Sequence, residues 1–160
     1  MITLSEIVVK TAINYVGIKE IPGNKGWKNS IFEKLMIIIG KWRKGDAWCC
    51  DFAHLVWHQA YKEYELSTKI IDKLFSPNSQ RTFRNFNNYN KTMISNIPSP
   101  GSIGILKYGR VYGHTFIVES IIDELSYKTI EGNFKDMVKR NTRNLKDKRL
   151  LGFIKIGLEW

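Results

Sequence analysis

Apolar residues in the first third of the chain recur every three or four positions, which predicts amphipathic helices. The first of these helices begins with a capping box, because Thr3 is followed three residues later by Glu6. The three helices predicted from this spacing are residues 4–16, 29–39 and 49–64. A polar, aromatic loop of residues 41–48 leads into the third helix.

The second half of the chain has a different pattern, in which short β-branched and aromatic runs are separated by glycines and polar turns. The four predicted strands are residues 102–107, 114–122, 127–131 and 152–156. Between the two halves, apolar residues near Leu74 indicate a short helix, whereas residues 76–90 are polar and receive no element. Helices followed by strands are typical of an α+β fold, with helices packed on an antiparallel sheet.

The composition of the chain indicates a folded domain with a basic surface. A chain of 160 residues, 43% of them hydrophobic, fits a single domain, residues 1–160, with a real core, and excludes a disordered chain. The net charge of +10 predicts a surface attracted to anions such as nucleic acid, anionic lipid or cell-wall polymers. No apolar run is long enough to span a membrane, so we expect no integral membrane segment.

The N-terminus lacks the basic and apolar regions of a signal peptide. We therefore expect synthesis in the cytoplasm without a signal peptide. Any action outside the cell would then depend on another route of release or export.

The two cysteines are adjacent, and bridging neighbours strains the backbone, so a disulfide framework is excluded. Cys49 lies at the predicted start of the third helix, where unpaired N–H groups and the helix dipole favour thiolate over thiol. Cys50 is the competing nucleophile, one residue further around the helix.

A cysteine nucleophile needs a base and a group that orients the base. His114 begins one predicted strand and Glu131 ends the next. Adjacent antiparallel strands bring such residues side by side, so the sequence predicts a thiol on a helix facing an imidazole and a carboxylate on a sheet.

Four segments resemble the CHAP family of peptidoglycan amidases and peptidases, which includes phage endolysins and is related to the NlpC/P60 group. Trp48-Cys49-Cys50-Asp51-Phe52 is similar to the nucleophile motif Trp-Cys-x-x-Phe. The other segments are residues 12–26, residues 100–105 with 113–118, and residues 131–133. Their order, Cys, His, Glu and Asn, is the order of the family.

The resemblance implies a papain-like CHAP/NlpC-P60 fold, with Cys49 as nucleophile, His114 as base, Glu131 as the orienting group and Asn133 as a further polar member. The implied substrate is a peptidoglycan amide bond, either the N-acetylmuramoyl–L-alanine linkage or a bond of the stem peptide or cross-bridge. We expect a monomer that needs no cofactor and reaches the cell wall by release, secretion or virion delivery.

The expected substrate-binding residues are Asp46 and Trp48, which both lie in the loop that precedes the nucleophile. The chain departs from the family pattern at Cys50, where many members have a small residue, and at Ser102, where an aspartate is usual.

The sequence suggests two candidate metal sites, and we expect neither to bind an ion. Some family members bind calcium in the loop before the nucleophile, but this loop has one acidic residue and calcium takes six to eight oxygen ligands. Cys50, His54 and His58 are spaced four residues apart, yet eight residues of helix rise ~12 Å, too far for one zinc ion. The sequence identifies no third ligand for His54 and His58, which we expect on a partly exposed helix face.

Two other functions remain open from the sequence. One is a papain-like thiol hydrolase or acyltransferase that acts on protein or lipid. The other is a basic nucleic-acid-binding module, with Arg81, Phe83, Arg84 and Phe86 as an aromatic-basic stripe. The chain matches no nucleic-acid-binding motif, so we expect no nucleic-acid partner. The basic run of residues 139–149 is expected to be a solvated loop or hairpin.

Overall fold

The structure, a computed structural model, describes residues 1–157 and has an α+β architecture, as predicted. Its helices are α1 (Leu4–Ile13), α2 (Ser30–Ile38), α3 (Cys49–Glu63), α4 (Lys69–Leu74) and α5 (Ser79–Tyr89), followed by a 3₁₀ turn at Lys91–Met93. Its strands are β1 (Ile94–Ser95), β2 (Ile103–Tyr108), β3 (Tyr112–Ile121), β4 (Ser126–Glu131), β5 (Lys139–Asn144) and β6 (Leu150–Ile154).

The predicted capping box is confirmed at the start of α1. The Glu6 backbone N–H donates to Thr3 Oγ1 at 3.2 Å, and the Thr3 N–H donates to Glu6 Oε2 at 2.7 Å. The helix ends at Ile13, three residues earlier than predicted, and irregular turns follow. The second and third helices lie within a residue of their predicted bounds at each end.

Helix α5 was missed in the polar stretch of residues 76–90. Asn78 caps it by accepting a hydrogen bond from the Arg81 N–H at 2.9 Å. Thr82 and Phe86, four residues apart, form its buried side. Because only this narrow stripe faces the core, the local composition is dominated by the solvated face.

The sheet has the order β1-β6-β2-β3-β4-β5, and every neighbouring pair is antiparallel. Strand β3 lies near its centre, with His114 opposite Leu106 of β2 and Ile117 opposite Ile130 of β4. Alternate strand residues, such as Ile117 and Ile130, pack into the core that contains the helices. The intervening ones, such as Phe116, form a second apolar cluster.

Helix α3 is the central helix of the core, and most of its side chains are buried between α1 and the sheet. Its N-terminus therefore lies against the strands rather than in solvent. Within residues 1–157, every helix is too short or too polar to span a bilayer.

The basic run of residues 139–149 largely forms the predicted solvated hairpin or loop, and it departs from that prediction at Arg143. Its first part is strand β5, which pairs with β4 and places Arg143 opposite Tyr127. The Arg143 side chain is only 9% exposed, because its guanidinium lies over the Phe116 ring and binds Glu131.

The aromatic-basic stripe of the nucleic-acid-binding alternative is not formed in the structure. Arg81 and Arg84 are exposed, but Phe86 is fully buried and Phe83 is half-buried against the core. The stripe therefore lacks the exposed aromatic faces on which nucleic-acid bases stack.

Candidate active site

Cys49 is the first residue of α3, as predicted. Trp48 is the N-cap residue and gives no side-chain cap, so the first backbone N–H groups of the helix are not satisfied by a capping side chain. The positive end of the helix dipole therefore lies at the Cys49 thiol, which is 7% exposed.

Strands β3 and β4 bring His114 and Glu131 together beside this thiol. His114 Nε2 lies 2.7 Å from Glu131 Oε2, and both residues are buried. The His114 ring also lies close enough to Cys49 to lower the pKa of its thiol, and since Nε2 is engaged by Glu131, Nδ1 is the ring nitrogen left to face the thiol. The three residues, separated widely in the chain, thus form one connected group, which we call the Cys49 cluster.

The charges in this cluster favour a thiolate–imidazolium pair. Burial alone would raise the pKa of Cys49, but the hydrogen bond and positive charge of His114 outweigh it and lower that pKa. Burial alone would lower the pKa of His114, but its bonds to Cys49 and Glu131 raise it to about 9. An ionised thiol beside a protonated imidazole is the form a cysteine hydrolase needs for attack and for protonation of the leaving group.

Glu131 is held in place by residues that sequence reasoning missed. Arg143 donates to both carboxylate oxygens, from Nε to Oε1 at 2.7 Å and from Nη2 to Oε2 at 2.6 Å. Thr129 donates to Oε1 at 2.5 Å. Burial would raise the pKa of Glu131, but the bonds from His114 and Arg143 lower it to about 2, so the carboxylate stays ionised near neutral pH.

Ser79, the first residue of α5, is a second residue that sequence reasoning missed. Its Oγ lies 3.8 Å from Cys49 Sγ and accepts a hydrogen bond from Thr115 Oγ1 at 2.8 Å. Ser79 therefore ties the start of α5 to the nucleophile and to β3. An isolated serine in a stretch without a predicted element gives no sequence signal for this contact.

Asp51 lies in the same first turn of α3 and is buried. Burial and the nearby negative charge of Cys49 raise its pKa to about 8, so it is mainly protonated at neutral pH. A neutral Asp51 adds no negative charge next to the thiolate.

Cys50 lies in a different environment from Cys49. It is fully buried, and its Sγ lies 3.3 Å from Thr82 Oγ1 of α5. Burial and the charge of Cys49 raise the pKa of Cys50 well above the ordinary thiol range. The surroundings thus favour ionisation of Cys49 and oppose ionisation of Cys50, which packs in the core.

The prediction that Trp48 binds substrate is wrong. Its side chain is fully buried, and the indole Nε1 donates to Glu20 Oε2 at 2.9 Å. The ring also packs edge-on against Trp27 at 5.0 Å, so it supports the loop before Cys49 from inside. The Asp46 side chain does lie at the surface, with Oδ2 3.4 Å from Arg43 Nε. Its role in binding substrate stays a prediction.

Asn133 and Ser102 lie outside the Cys49 cluster. Asn133 is in the turn after β4 with φ of +54°, and within residues 1–157 no hydrogen bond joins its side chain to the cluster. The buried Ser102 closes the turn before β2, where its Oγ donates to the Ser99 carbonyl at 2.6 Å. Neither position contradicts the resemblance, and the role of Asn133 stays a prediction.

The sequence profile of the CHAP domain matches residues 41–133, more than half of the chain, and this segment contains Cys49, His114 and Glu131. Comparison with curated proteins and with solved structures gave no match. The observed helices on an antiparallel sheet fit the papain-like fold that the resemblance implies. The chain belongs to the CHAP domain family.

Proposed function

We propose that the chain is a cysteine peptidoglycan hydrolase in which Cys49, His114 and Glu131 cleave an amide bond of the cell wall. Family membership supports the coarser part of this statement, because CHAP domains are amidases and peptidases associated with peptidoglycan. The observation that carries the finer part is the placement of the Cys49 thiol at the start of α3 beside His114, whose Nε2 lies 2.7 Å from Glu131 Oε2.

In the proposed acylation step, the Cys49 thiolate attacks the carbonyl carbon of the amide. The helix N-terminus stabilises the negative charge that develops on the carbonyl oxygen, with the Cys49 backbone N–H as one donor. His114 then gives its proton to the leaving nitrogen as the C–N bond breaks. A thioester between Cys49 and the acyl half of the substrate remains.

In the proposed deacylation step, neutral His114 takes a proton from water, and the resulting hydroxide equivalent attacks the thioester. The C–S bond breaks, the carboxylic acid product leaves, and the thiolate–imidazolium pair is restored. Glu131 stays ionised throughout and acts by orienting the His114 ring and stabilising its positive charge.

The net charge of +10 supports an anionic polymer as the target. Attraction between a basic protein and a wall rich in phosphate and carboxylate groups raises the local enzyme concentration without any specific contact. The charge adds to the proposal but does not select which amide bond is cut.

The test compares Cys49→Ala with its neighbour Cys50→Ala on purified peptidoglycan, with mass spectrometry of the released fragments. We expect Cys49→Ala to lose at least roughly 1,000-fold in rate, because the nucleophile is absent. Cys50→Ala is expected to keep the rate per folded molecule, because Cys50 Sγ contacts Thr82 rather than the catalytic thiol. Circular dichroism of both variants checks that the fold is intact.

New amine and carboxyl ends in the fragments would identify the bond. Undiminished cleavage by Cys49→Ala would overturn the proposed nucleophile. Intact peptidoglycan, together with cleavage of a protein or lipid ester by the wild type, would instead favour the thiol hydrolase or acyltransferase alternative.

A further inference from the structure

We propose that His54, His58 and Asp72 form a binding site for a divalent transition-metal ion of the Zn²⁺ type, which fastens α4 to α3 outside the Cys49 cluster. His54 and His58 are four residues apart on α3, and Asp72 comes from α4. His54 Nε2 lies 2.7 Å and His58 Nδ1 lies 2.8 Å from the same oxygen, Asp72 Oδ1. We call these three residues the His54 cluster.

The donor set has the chemistry of a zinc site. Two histidines at positions i and i+4 on one helix face are a recurrent zinc-binding pair, and two imidazoles with one carboxylate leave a fourth position open for water or substrate. Softer metals favour thiolates and harder ones favour oxygen, so this mixed nitrogen and oxygen set selects ions such as Zn²⁺, Co²⁺ and Ni²⁺.

The geometry is close to what such an ion requires. One ligand atom from each of the three residues lies within 4.8 Å of the other two. In a tetrahedral site with bonds near 2.0–2.1 Å, ligand atoms are about 3.3 Å apart, so binding needs side-chain adjustments on the order of 1 Å. The Phe75 ring stacks on His54 at 4.7 Å and 11°, which already fixes the plane of one ligand.

The hydrogen bonds of the cluster are ones that an ion can replace. Each imidazole now shares a proton with Asp72 Oδ1, and a bound cation would take the place of that proton, so binding needs neutral histidines and an ionised Asp72. Lys41, a positive group near the site, donates from Nζ to the Asp72 backbone carbonyl at 2.7 Å.

An ion can reach the site from solvent. The His58 side chain is 18% exposed and that of Asp72 is 30% exposed, whereas His54 is buried. His58 also lines a cleft of about 470 Å³ beside α1, together with Gln59 and Lys62 of α3. The open coordination position therefore has a route to water.

The His54 cluster is separate from the proposed chemistry. Along α3, His58 lies ~13 Å beyond Cys49 by helix rise, so one ion cannot contact both. The proposal thus does not depend on the proposed hydrolase activity. Its physical consequence is a cross-link between α3 and α4, which precedes the α5 segment that carries Ser79.

The experiment uses the full chain with Cys49→Ala and His114→Ala, because this double substitution removes the other thiol–imidazole pair able to bind zinc. After chelator treatment, Zn²⁺ is titrated by calorimetry, and Co²⁺ is titrated by its visible absorption. We expect one ion per chain, with a Kd of about 1 μM or tighter, and a tetrahedral Co²⁺ spectrum. Zn²⁺ should also raise the Tm.

His58→Gln and Asp72→Asn, each added to this background, are expected to weaken binding roughly 100-fold and to abolish the Tm shift. Lys62→Ala is the matched control, since it changes an exposed residue of the same cleft and removes no ligand. Both ligand variants preserve approximate side-chain size, and circular dichroism verifies folding.

Absence of binding by the folded parent at 100-fold higher Zn²⁺ than the expected Kd would overturn the proposal. So would equal binding by the parent and both ligand variants. In either case the cluster is a hydrogen-bonded His–Asp–His group that holds α4 without a metal.

Discussion

The chain contains two histidine–carboxylate groups with nearly the same contact distance and different surroundings. In the Cys49 cluster, His114 lies 2.7 Å from Glu131; in the His54 cluster, the two imidazoles lie 2.7 and 2.8 Å from Asp72. The pKa of His114 is raised, whereas that of His54 is lowered. The contact between imidazole and carboxylate therefore does not by itself decide whether the imidazole is protonated.

The difference lies in what else each group touches. His114 lies between the Cys49 thiol and the fixed Glu131 carboxylate, so two negative partners stabilise its proton. In the His54 cluster, two imidazoles share one carboxylate oxygen, burial opposes the charge on His54, and Lys41 lies nearby. The first arrangement therefore favours a protonated imidazole at His114, and the second favours a neutral imidazole at His54.

Replacing the Glu131 carboxylate should give the largest difference between the two clusters. We expect Glu131→Gln to lower the rate of peptidoglycan cleavage roughly 100-fold, because the His114 ring loses its orientation and a stabilising charge. The rate of the wild type should fall at alkaline pH as His114 loses its proton at about 9. Since the carboxylate stabilises the protonated ring, Glu131→Gln should move this alkaline limb to lower pH.

Asp72→Asn is the matched change in the His54 cluster. It should leave the alkaline limb where it is, because Asp72 contacts His54 and His58 rather than His114. The measurement is the rate of peptidoglycan cleavage as a function of pH for the wild type, Glu131→Gln and Asp72→Asn. An unmoved limb in Glu131→Gln would contradict the role given to Glu131.

A smaller effect is expected from the residue that holds Glu131. Arg143→Ala removes two short hydrogen bonds from a buried carboxylate, so we expect a loss of about 2 kcal/mol in the free energy of unfolding. Arg140→Ala, on the same strand, removes a surface pair with Glu119 and should cost less than about 1 kcal/mol. Urea unfolding measures both, and equal losses would refute a special role for Arg143.

The fold class and the position of Cys49 at a helix start were predictable because their signals are local. The apolar spacing of residues 49–64 gives helix α3, and the turn before it puts Cys49 at the helix start. His114 and Glu131 required the order of the family motifs as well. Their hydrogen bond then follows from the antiparallel pairing of β3 and β4.

The missed features depend on packing between distant elements. Arg143 belongs to a basic run that predicts a solvated segment, since nothing in the neighbouring sequence reveals its contact with the buried Glu131 carboxylate. Asp72 was not identified as a partner of His54 and His58, because the packing of α4 against α3 leaves no local pattern. Trp48 was placed at the substrate because of its position beside Cys49, although its side chain points into the core.

The most direct measurement is the pH dependence of thiol alkylation by iodoacetamide in Cys50→Ala protein, where Cys49 is the remaining thiol. The lowered pKa of Cys49 predicts rapid alkylation at pH values below the ordinary thiol range of about 8.5, and adding His114→Ala should move the midpoint up to that range or beyond. A midpoint that already lies at or above about 8.5 with His114 present, or one that His114→Ala leaves unchanged, would contradict the thiolate–imidazolium pair.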